Sequence, residues 1–370
     1  MEKYKPVCGK FLIKAARPIV FYVPVMYFNS KLIHFYTAIN KMSYCPSEKL
    51  KLAIIGCRGH IGYVFRSLPR LPEVELTAVS GGGDEPDKLL TFAAQNGFSP
   101  AVYDHWQQLI DEVKPDLIAI DGPFELHAAM SIYALKRKIP VFCEKPVALT
   151  MEDLAQLRQA QQQHGTLLMS MVGLRYAAAF QHALHLVRAG NVGKVKLITA
   201  QKSYKLGERP GFYRCHASYG GTIPWVGSHA FDWVIAFSGS GIDRVWATQS
   251  RTDNCDHGDL EIACQCLMTT ANGVQAAISL DYLRPGAAPT HGDDRVRIAG
   301  TTGILEVRDG KIFLLDSAGA QEIPVPPAER EIFADFVHAA TGETVPLVSV
   351  AETLELTRAC LIARDNAVTI

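Results

Sequence analysis

The sequence has 370 residues, of which 48 % are hydrophobic and 20 % charged. This length and composition are typical of a globular protein of about two domains. Lys and Arg number 37, and Asp and Glu also number 37, so the formal net charge is zero. The balance gives no electrostatic reason to expect a nucleic-acid partner, and we predict none.

The nine cysteines are scattered, and no two of them form a Cys-x-x-Cys pair. Cys264 and Cys266 are separated by one residue, which on a strand places both on one face rather than around a metal ion. We therefore expect reduced cysteines in a cytoplasmic protein that binds no metal.

Residues 1–48 are rich in lysine and contain an apolar stretch from Pro18 to Phe28. The stretch is too short for a transmembrane helix, which needs about 20 apolar residues, and Pro24 interrupts it. A signal peptide is one interpretation, but no small-x-small cleavage pattern follows. We favour a poorly ordered extension, or upstream sequence ahead of a natural start at Met42, and expect no stable membrane association.

A glycine-rich turn follows the apolar run from Leu52 to Ile55, with glycines at positions 56, 59 and 62. A turn of this kind between a strand and a helix brings backbone N–H groups close to a pyrophosphate. The usual pattern is Gly-x-Gly-x-x-Gly, and here Arg58 and Ile61 occupy its second and third glycine positions. A tight turn that binds nothing is the alternative.

Strand and helix patterns alternate over residues 51–143, which predicts a doubly wound parallel sheet. In such sheets ligands bind beyond the carboxyl ends of the strands. The glycine turn, the segment at 121–127 and Glu144-Lys145-Pro146 all fall at such ends. Residues 49–148 are therefore predicted to form a dinucleotide-binding Rossmann domain.

The end of the second strand bears on the choice of cofactor. An acidic residue there would bind the ribose 2′-hydroxyl of NAD, but Ser80 or Gly81 holds this position and Asp84 comes later. Arg58 is a candidate partner for the 2′-phosphate of NADP, or else a solvated surface charge. NADP is favoured, and NAD stays open.

Residues 149–370 are predicted to form an α+β domain for substrate binding, with a large, open, mostly antiparallel sheet. Its last helix is expected to pack back toward the first domain. A glycine turn at residues 220–221 leads into a helix on which His229 and Asp232 share one face.

Two motifs carry a resemblance to a known family. Glu144-Lys145-Pro146 at the end of the fifth strand and the segment GSHAFD at 227–232 resemble signatures of the Gfo/Idh/MocA oxidoreductases, which include glucose–fructose oxidoreductase and inositol dehydrogenase. The segments GTTGILEV and RACLIARDNA are also similar to family segments. The resemblance extends from about residue 49 to residue 367.

The resemblance implies an NAD(P)-dependent oxidoreductase that acts on a hydroxyl carbon of a sugar, cyclitol or similar polyol. Lys145 would act in proton transfer, and His229 would be its partner or would orient the substrate. The outer face of the sheet would form the contacts between subunits of a homodimer or homotetramer. The residues expected to bind the cofactor are Gly56, Arg58, Gly59, His60, Ile61, Ser80, Gly122, Pro123, His127, Glu144 and Lys145, and those expected to bind substrate are Lys145, Arg175, Trp225 and His229.

The chain departs from the family pattern at two positions. Many members have Asp where this chain has Trp225, and many have Asn where it has Phe124. The first puts a second carboxylate for the proton relay in doubt, and the second changes a cofactor contact. Trp225 either stacks on a sugar ring or fills the core, and His127 either packs at the helix start or takes part in the site.

Hydride transfer from an alcohol needs a base for the hydroxyl proton. Lys145 serves only if burial lowers its pKa from about 10.4 toward neutrality, and Glu144 acts in the opposite direction. His229 can pass the proton onward, and Asp232 either orients it or lies on the helix surface. A non-catalytic NADP(H)-binding sensor on the same scaffold is the alternative function, and reduction of an unsaturated non-sugar compound is a third possibility.

Overall fold

The computed structural model describes residues 49–370, and the predictions made for residues 1–48 lie outside that range. Within residues 49–370, no helix combines the length and hydrophobicity needed to cross a bilayer.

The first sheet is parallel and has six strands in the order β3-β2-β1-β4-β5-β6. These strands are β1 (Leu50–Ile55), β2 (Val74–Ser80), β3 (Ala101–Tyr103), β4 (Leu117–Ile120), β5 (Val141–Cys143) and β6 (Leu168–Ser170). All four residues of β4 are buried, because helices cover both faces of the sheet. The predicted doubly wound sheet is confirmed.

Helices connect these strands and pack on both sides of the sheet. They are α1 (Gly62–Ser67), α2 (Asp87–Gln95), α3 (Trp106–Val113), α4 (His127–Leu135) and α5 (Met151–His164). The Thr150 hydroxyl accepts a hydrogen bond from Asp153 N and caps α5, as the sequence predicts. Since β6 follows α5, the first sheet takes its last strand from beyond residue 148, where we placed the boundary between the two domains.

The second sheet has nine strands in the order β14-β13-β12-β11-β7-β10-β9-β8-β15, of which most pairs are antiparallel. The strands are β7 (Val195–Tyr204), β8 (Ile242–Ser250), β9 (Ala263–Thr270), β10 (Gln275–Asp281), β11 (Gly292–Gly300), β12 (Ile304–Arg308), β13 (Lys311–Asp316), β14 (Gly319–Ile323) and β15 (Val368–Thr369). Cys264 and Cys266 lie on one buried face of β9, as predicted.

The helices of the second part are α6 (Ala178–Arg188), α7 (His216–Tyr219), α8 (Ser228–Ser238), α9 (Ile332–Ala340) and α10 (Val350–Asp365). A π-helical turn, Ile223–Gly227, leads directly into α8. The buried residues of α8 pack against the inner face of the nine-stranded sheet. One of them, Trp233, stacks on Phe180 at 4.4 Å between ring centroids.

The last long helix, α10, contacts both sheets. Ser349 and Glu352 form a capping box at its start. The Thr353 hydroxyl accepts a hydrogen bond from Ser170 N in β6, and Leu354 and Leu361 belong to the hydrophobic cluster of the first sheet. The helix therefore packs against both sheets and links them.

Candidate active site

The glycine turn after β1 meets the end of β4 at very close range. Gly56 has φ +81°, and a Cβ added there would lie 2.2 Å from the Cα of Gly122. Only glycine tolerates both conditions without strain. Gly56 N donates to Ser80 O at 2.8 Å, and Arg58 N donates to Asp121 O at 2.8 Å, so the turn is fixed to both neighbouring strand ends.

Two buried carboxylates bind the backbone of this turn. Gly59 N and Ile61 N donate to the Asp121 carboxylate at 2.7 and 2.9 Å, and His60 N donates to Glu144 Oε2 at 2.7 Å. Three consecutive N–H groups thus converge on anionic oxygens, which is the donor set that a diphosphate requires. The turn therefore fits a dinucleotide in kind, and Asp121 and Glu144 hold those donors in this conformation.

The two carboxylates differ in their pKa. Burial and the neighbouring charge of Glu144 raise the pKa of Asp121 well above its usual value. Burial acts on Glu144 as well, but the charges and hydrogen bonds of His60 and Lys145 leave its pKa below its usual value. Asp121 was not among the predicted site residues, although its place directly after β4 was a signal for it.

Arg58 is bound to an acidic residue at the end of β2. Its Nε and Nη2 donate to the two Asp84 carboxylate oxygens at 2.6 and 2.8 Å, and its Nη1 lies 3.5 Å from Glu125 Oε2. Arg58 is therefore paired with protein carboxylates in this conformation, and its contact with a 2′-phosphate stays a prediction. The sequence placed Asp84 too far along the chain, whereas the glycines at 81–83 fold it back toward Arg58.

Lys145 is buried at the carboxyl end of β5, between Glu144 and Trp225. Its Nζ donates to Trp225 O at 2.9 Å and lies 3.2 Å from the centroid of the Trp225 ring, a cation–π contact. Burial lowers the pKa of Lys145 to about 7, although the Glu144 charge opposes this shift. The Phe124 ring stacks on Trp225 at 4.7 Å, so the two departures from the family pattern contact each other.

His229 lies at the start of α8, and only 2 % of it is exposed. Its Nδ1 has no hydrogen-bond partner among residues 49–370, and its ring stands edge-on to His60 at 6.2 Å. Burial, together with the charges of Lys145, Lys202 and His60, lowers the pKa of His229 well below its usual value. The imidazole is therefore neutral at physiological pH.

Asp232 and Arg175, both predicted for the site, bind each other instead. Arg175 Nε and Nη2 donate to the Asp232 carboxylate at 3.0 and 2.5 Å, and Arg175 Nη1 donates to Glu352 Oε1 at 2.8 Å. Asp232 therefore does not orient His229, and the Arg175 guanidinium is held by protein groups. A shared helix face was not sufficient evidence that Asp232 contacts His229. The contact with Arg175 could not be predicted, because residue 175 lies on a distant turn that no local pattern connects to α8.

His127 and Ser80 have structural contacts. The two ring nitrogens of His127 lie 2.9 Å from Pro146 O and 3.1 Å from Gly122 O, so this side chain bridges the loops after β4 and β5. The Ser80 hydroxyl accepts a hydrogen bond from Gly82 N at 3.3 Å, within its own turn. Pro123 precedes the short helical turn that carries Phe124.

Lys202, which the sequence analysis did not single out, is buried on β7. Its Nζ is paired with the Asp294 carboxylate and lies 4.6 Å from the centroid of Tyr204. Its charge contributes to the lowered pKa values of both Lys145 and His229. The alternation of β7 was the available signal, because Lys202 shares its face with the buried Ile198 and Ala200.

The chain matches two family descriptions in succession. Residues 50–172 match "Oxidoreductase family, NAD-binding Rossmann fold", and residues 180–306 match "GFO/IDH/MocA C-terminal domain". A solved Thermotoga maritima structure, assigned provisionally as an oxidoreductase, is 40 % identical. The alignment covers 86 % of this chain and 97 % of that one, with a TM-score of 0.83.

Two curated relatives have named activities. An inositol 2-dehydrogenase of Ralstonia nicotianae is 27 % identical over 75 % of this chain and 79 % of its own length. A D-xylose 1-dehydrogenase (NADP(+)) of Haloferax volcanii is 25 % identical over 82 % of this chain and 94 % of its own. Fold and site together define an oxidoreductase with an NAD-binding Rossmann domain. The chain belongs to the GFO/IDH/MocA family.

Proposed function

We propose that this enzyme transfers a hydride between a nicotinamide cofactor and a hydroxyl-bearing carbon of a sugar, cyclitol or similar polyol. The observation that carries the proposal is the buried Lys145, whose pKa of about 7 allows it to take up or release a proton near neutrality. The activities named for the inositol and xylose relatives support the substrate class.

Lys145 accepts the hydroxyl proton when the substrate is oxidised and returns it when the carbonyl is reduced. His229 is the second polar group, because its neutral ring offers an unpartnered Nδ1 to the substrate hydroxyl or to the proton that leaves Lys145. Both side chains are almost fully buried, so bulk water is excluded from the proton that moves.

A nicotinamide dinucleotide, when bound, accepts or supplies the hydride. The backbone of Gly56, Gly59, His60 and Ile61 would hold its diphosphate, with Gly122 and Pro123 beside it. Glu144 would lie beside the nicotinamide ribose, as the family resemblance implies. The Asp121 and Glu144 carboxylates accept hydrogen bonds from backbone N–H groups of this turn. These hydrogen bonds would have to break for a diphosphate to bind the same N–H groups.

We infer that NAD is preferred over NADP, which reverses the preference drawn from the sequence. The Asp84 carboxylate is bound to Arg58 where a 2′-phosphate would need that cation. A ribose 2′-hydroxyl can donate to such a carboxylate, whereas a phosphate is repelled by it.

The Lys145→Met variant tests the proposed function. It should bind NADH as the wild type does, measured by fluorescence titration, and should lose turnover of every polyol or sugar that the wild type oxidises. Unchanged turnover in this variant would remove Lys145 from the mechanism. Gln162, on the surface of α5, offers a control through Gln162→Met.

A non-catalytic NADP(H)-binding sensor on the same scaffold is the second candidate. The stacked pair of Phe124 and Trp225, at the two positions where the chain departs from the family pattern, favours it. Cofactor binding without turnover of any sugar, cyclitol or polyol would support the sensor, and Lys145-dependent turnover would exclude it.

A further inference from the structure

Arg209 lies in the segment between β7 and α7, and it forms no salt bridge within residues 49–370. Its guanidinium lies 4.7 Å from the ring centroid of Tyr282 and 5.6 Å from that of Tyr213. Its Nη2 donates to Lys205 O at 2.8 Å, while its buried Nε has no partner among residues 49–370. A half-buried guanidinium N–H group without a hydrogen bond costs folding free energy, unless a bound ligand accepts from it.

Aromatic contacts connect this guanidinium to the catalytic lysine. The Tyr213 ring, on which Arg209 packs, lies edge-on to Trp225 at 6.4 Å between centroids. Lys145 Nζ lies 3.2 Å from the centroid of the Trp225 ring. Tyr213 and Trp225 therefore form a continuous set of aromatic contacts between Arg209 and Lys145.

A second set of aromatic contacts connects the same arginine to β7. The Tyr282 ring lies 6.3 Å from Tyr204, and Tyr204 lies 4.6 Å from Lys202 Nζ. Lys202 is already neutralised by Asp294. Lys205 also forms no salt bridge within residues 49–370, and its Nζ donates to Gly286 O and Ala288 O at 2.8 and 2.6 Å. Arg209 and Lys205 are therefore the uncompensated cations that we identify in this segment.

The shape of this side chain suits a carboxylate. A guanidinium packed against aromatic rings presents a planar fork that matches the two carboxylate oxygens. Burial raises the pKa of the neighbouring Tyr213 to about 12, so its hydroxyl keeps its proton and can donate to the same anion.

We propose that the substrate is a sugar or polyol that carries a carboxylate, such as a uronic or aldonic acid, and that Arg209 binds this carboxylate. The acid end lies against Arg209 and Tyr213, and the hydroxyl carbon that reacts lies at Lys145 and His229. This inference rests on the proposed function, because it assigns the far end of the same substrate.

Matched pairs of compounds test the proposal: D-glucuronate with D-glucose, D-galacturonate with D-galactose, and D-gluconate with D-glucitol, with D-glucose 6-phosphate as the phosphate arm. For at least one pair, wild-type kcat/KM should be about 10-fold higher for the acid than for its neutral partner. Arg209→Gln should remove that advantage, mainly through KM, and Arg209→Lys should restore part of it.

Arg214→Gln is the matched control, because Arg214 lies in the same segment and donates to the backbone of Asp256. It should leave the acid preference unchanged. Circular dichroism and thermal melting establish that each variant is folded, and calorimetric titration of the acids gives a binding readout that needs no turnover.

Preference for the neutral compounds or the phosphate, or an equal loss on both members of a pair in Arg209→Gln, would overturn the inference. So would calorimetric binding of the acids that is absent, or that is equal in wild type and Arg209→Gln. The proposed function fails separately, when turnover of any compound survives Lys145→Met.

Discussion

At the scale of single residues, Trp225 contacts Lys145, the residue that we propose for proton transfer. Where many relatives have an aspartate, this chain places an indole against Lys145 Nζ, with Phe124 stacked behind it. A carboxylate would stabilise the ammonium form, whereas the ring and the carbonyl of Trp225 offset only part of the desolvation. The two residues that depart from the family pattern therefore belong to the buried surroundings of Lys145, and burial lowers its pKa to about 7.

The first prediction concerns the pH dependence of substrate oxidation. Because Lys145 must be neutral to accept a proton, kcat/KM should fall about tenfold per pH unit below an apparent pKa of about 7 and level off above it. The reduction direction should show the opposite dependence. Since the pKa of His229 lies well below its usual value, this residue adds no second limb near neutrality. A profile that is flat through pH 7 would contradict the assignment.

The double variant Trp225→Asp/Phe124→Asn sharpens this test, because it installs the pair that is common in relatives. The new carboxylate should raise the apparent pKa of the oxidation profile by about 1 to 3 units. Trp225→Phe, which keeps a ring beside the lysine, is the control and should shift the profile much less. An unshifted profile in a folded double variant would show that Trp225 does not control Lys145.

The second prediction concerns the cofactor. NADH should bind at least about 10-fold more tightly than NADPH, and Asp84→Ser should reduce or reverse that ratio by freeing Arg58 for the 2′-phosphate. Asp87→Ser, at the exposed start of α2, should leave the ratio unchanged. Fluorescence titration with both nucleotides measures it, and a wild-type preference for NADPH would return the assignment to the one drawn from the sequence.

Site residues in contiguous motifs could be predicted from the sequence, whereas contacts between residues far apart in the sequence could not. Lys145 and His229 could be proposed from the sequence because each lies in a contiguous motif that marks a strand end or a helix start. The partner of Asp232 was missed because Arg175 lies 57 residues away and reaches it only through the tertiary fold. Asp84 was misjudged for a related reason, since its position depends on the path of three glycines with no fixed local pattern.

At the scale of elements, α8 is held in place by the buried Arg175. This side chain joins Asp232 of α8 to Glu352 of α10, and it donates to Leu347 O at 2.6 Å. His229 lies one turn earlier on the same helix, so the ion pair fixes the helix that carries it. Asp232 thus supports the site through the position of its helix rather than through a hydrogen bond to the histidine.

The third prediction tests this support. Arg175→Met should lower the free energy of unfolding by about 3 to 5 kcal/mol, because it leaves the Asp232 carboxylate buried without its cation. Burial already raises the pKa of Asp232 to about 6 with Arg175 present. Loss of Arg175 should therefore destabilise the variant further at high pH, where the buried carboxylate must be ionised. Urea denaturation measures the change.

The double variant Arg175→Met/Asp232→Leu separates the charge from the packing. It should recover much of the lost stability, because both buried charges are then removed. If the double variant is as unstable as the single one, packing rather than the unpaired carboxylate is responsible.

At the scale of the whole molecule, hydrophobic patterns were sufficient for both sheets but not for their connections. The buried runs of β1 and β4 and the alternation of β7 to β13 predicted a parallel sheet followed by a mostly antiparallel one. The strand β3 was not predicted, because two of its three residues are exposed and leave little apolar signal. The pairing of β6 was not predicted either, since a short apolar strand is compatible with either sheet.

The fourth prediction concerns the outer face of the nine-stranded sheet. Trp246 of β8 and Leu267 of β9 are paired across this face and are 56 % and 59 % exposed. We propose that a second copy of the chain covers them, in the homodimer or homotetramer that the family resemblance implies, because exposed apolar pairs of this kind are typical of contact surfaces. Trp246→Glu/Leu267→Lys should therefore yield monomers in sedimentation velocity, whereas Val345→Glu, on an exposed loop, should not. A monomeric wild type, or an unchanged assembly in the double variant, would place the contact elsewhere or exclude it.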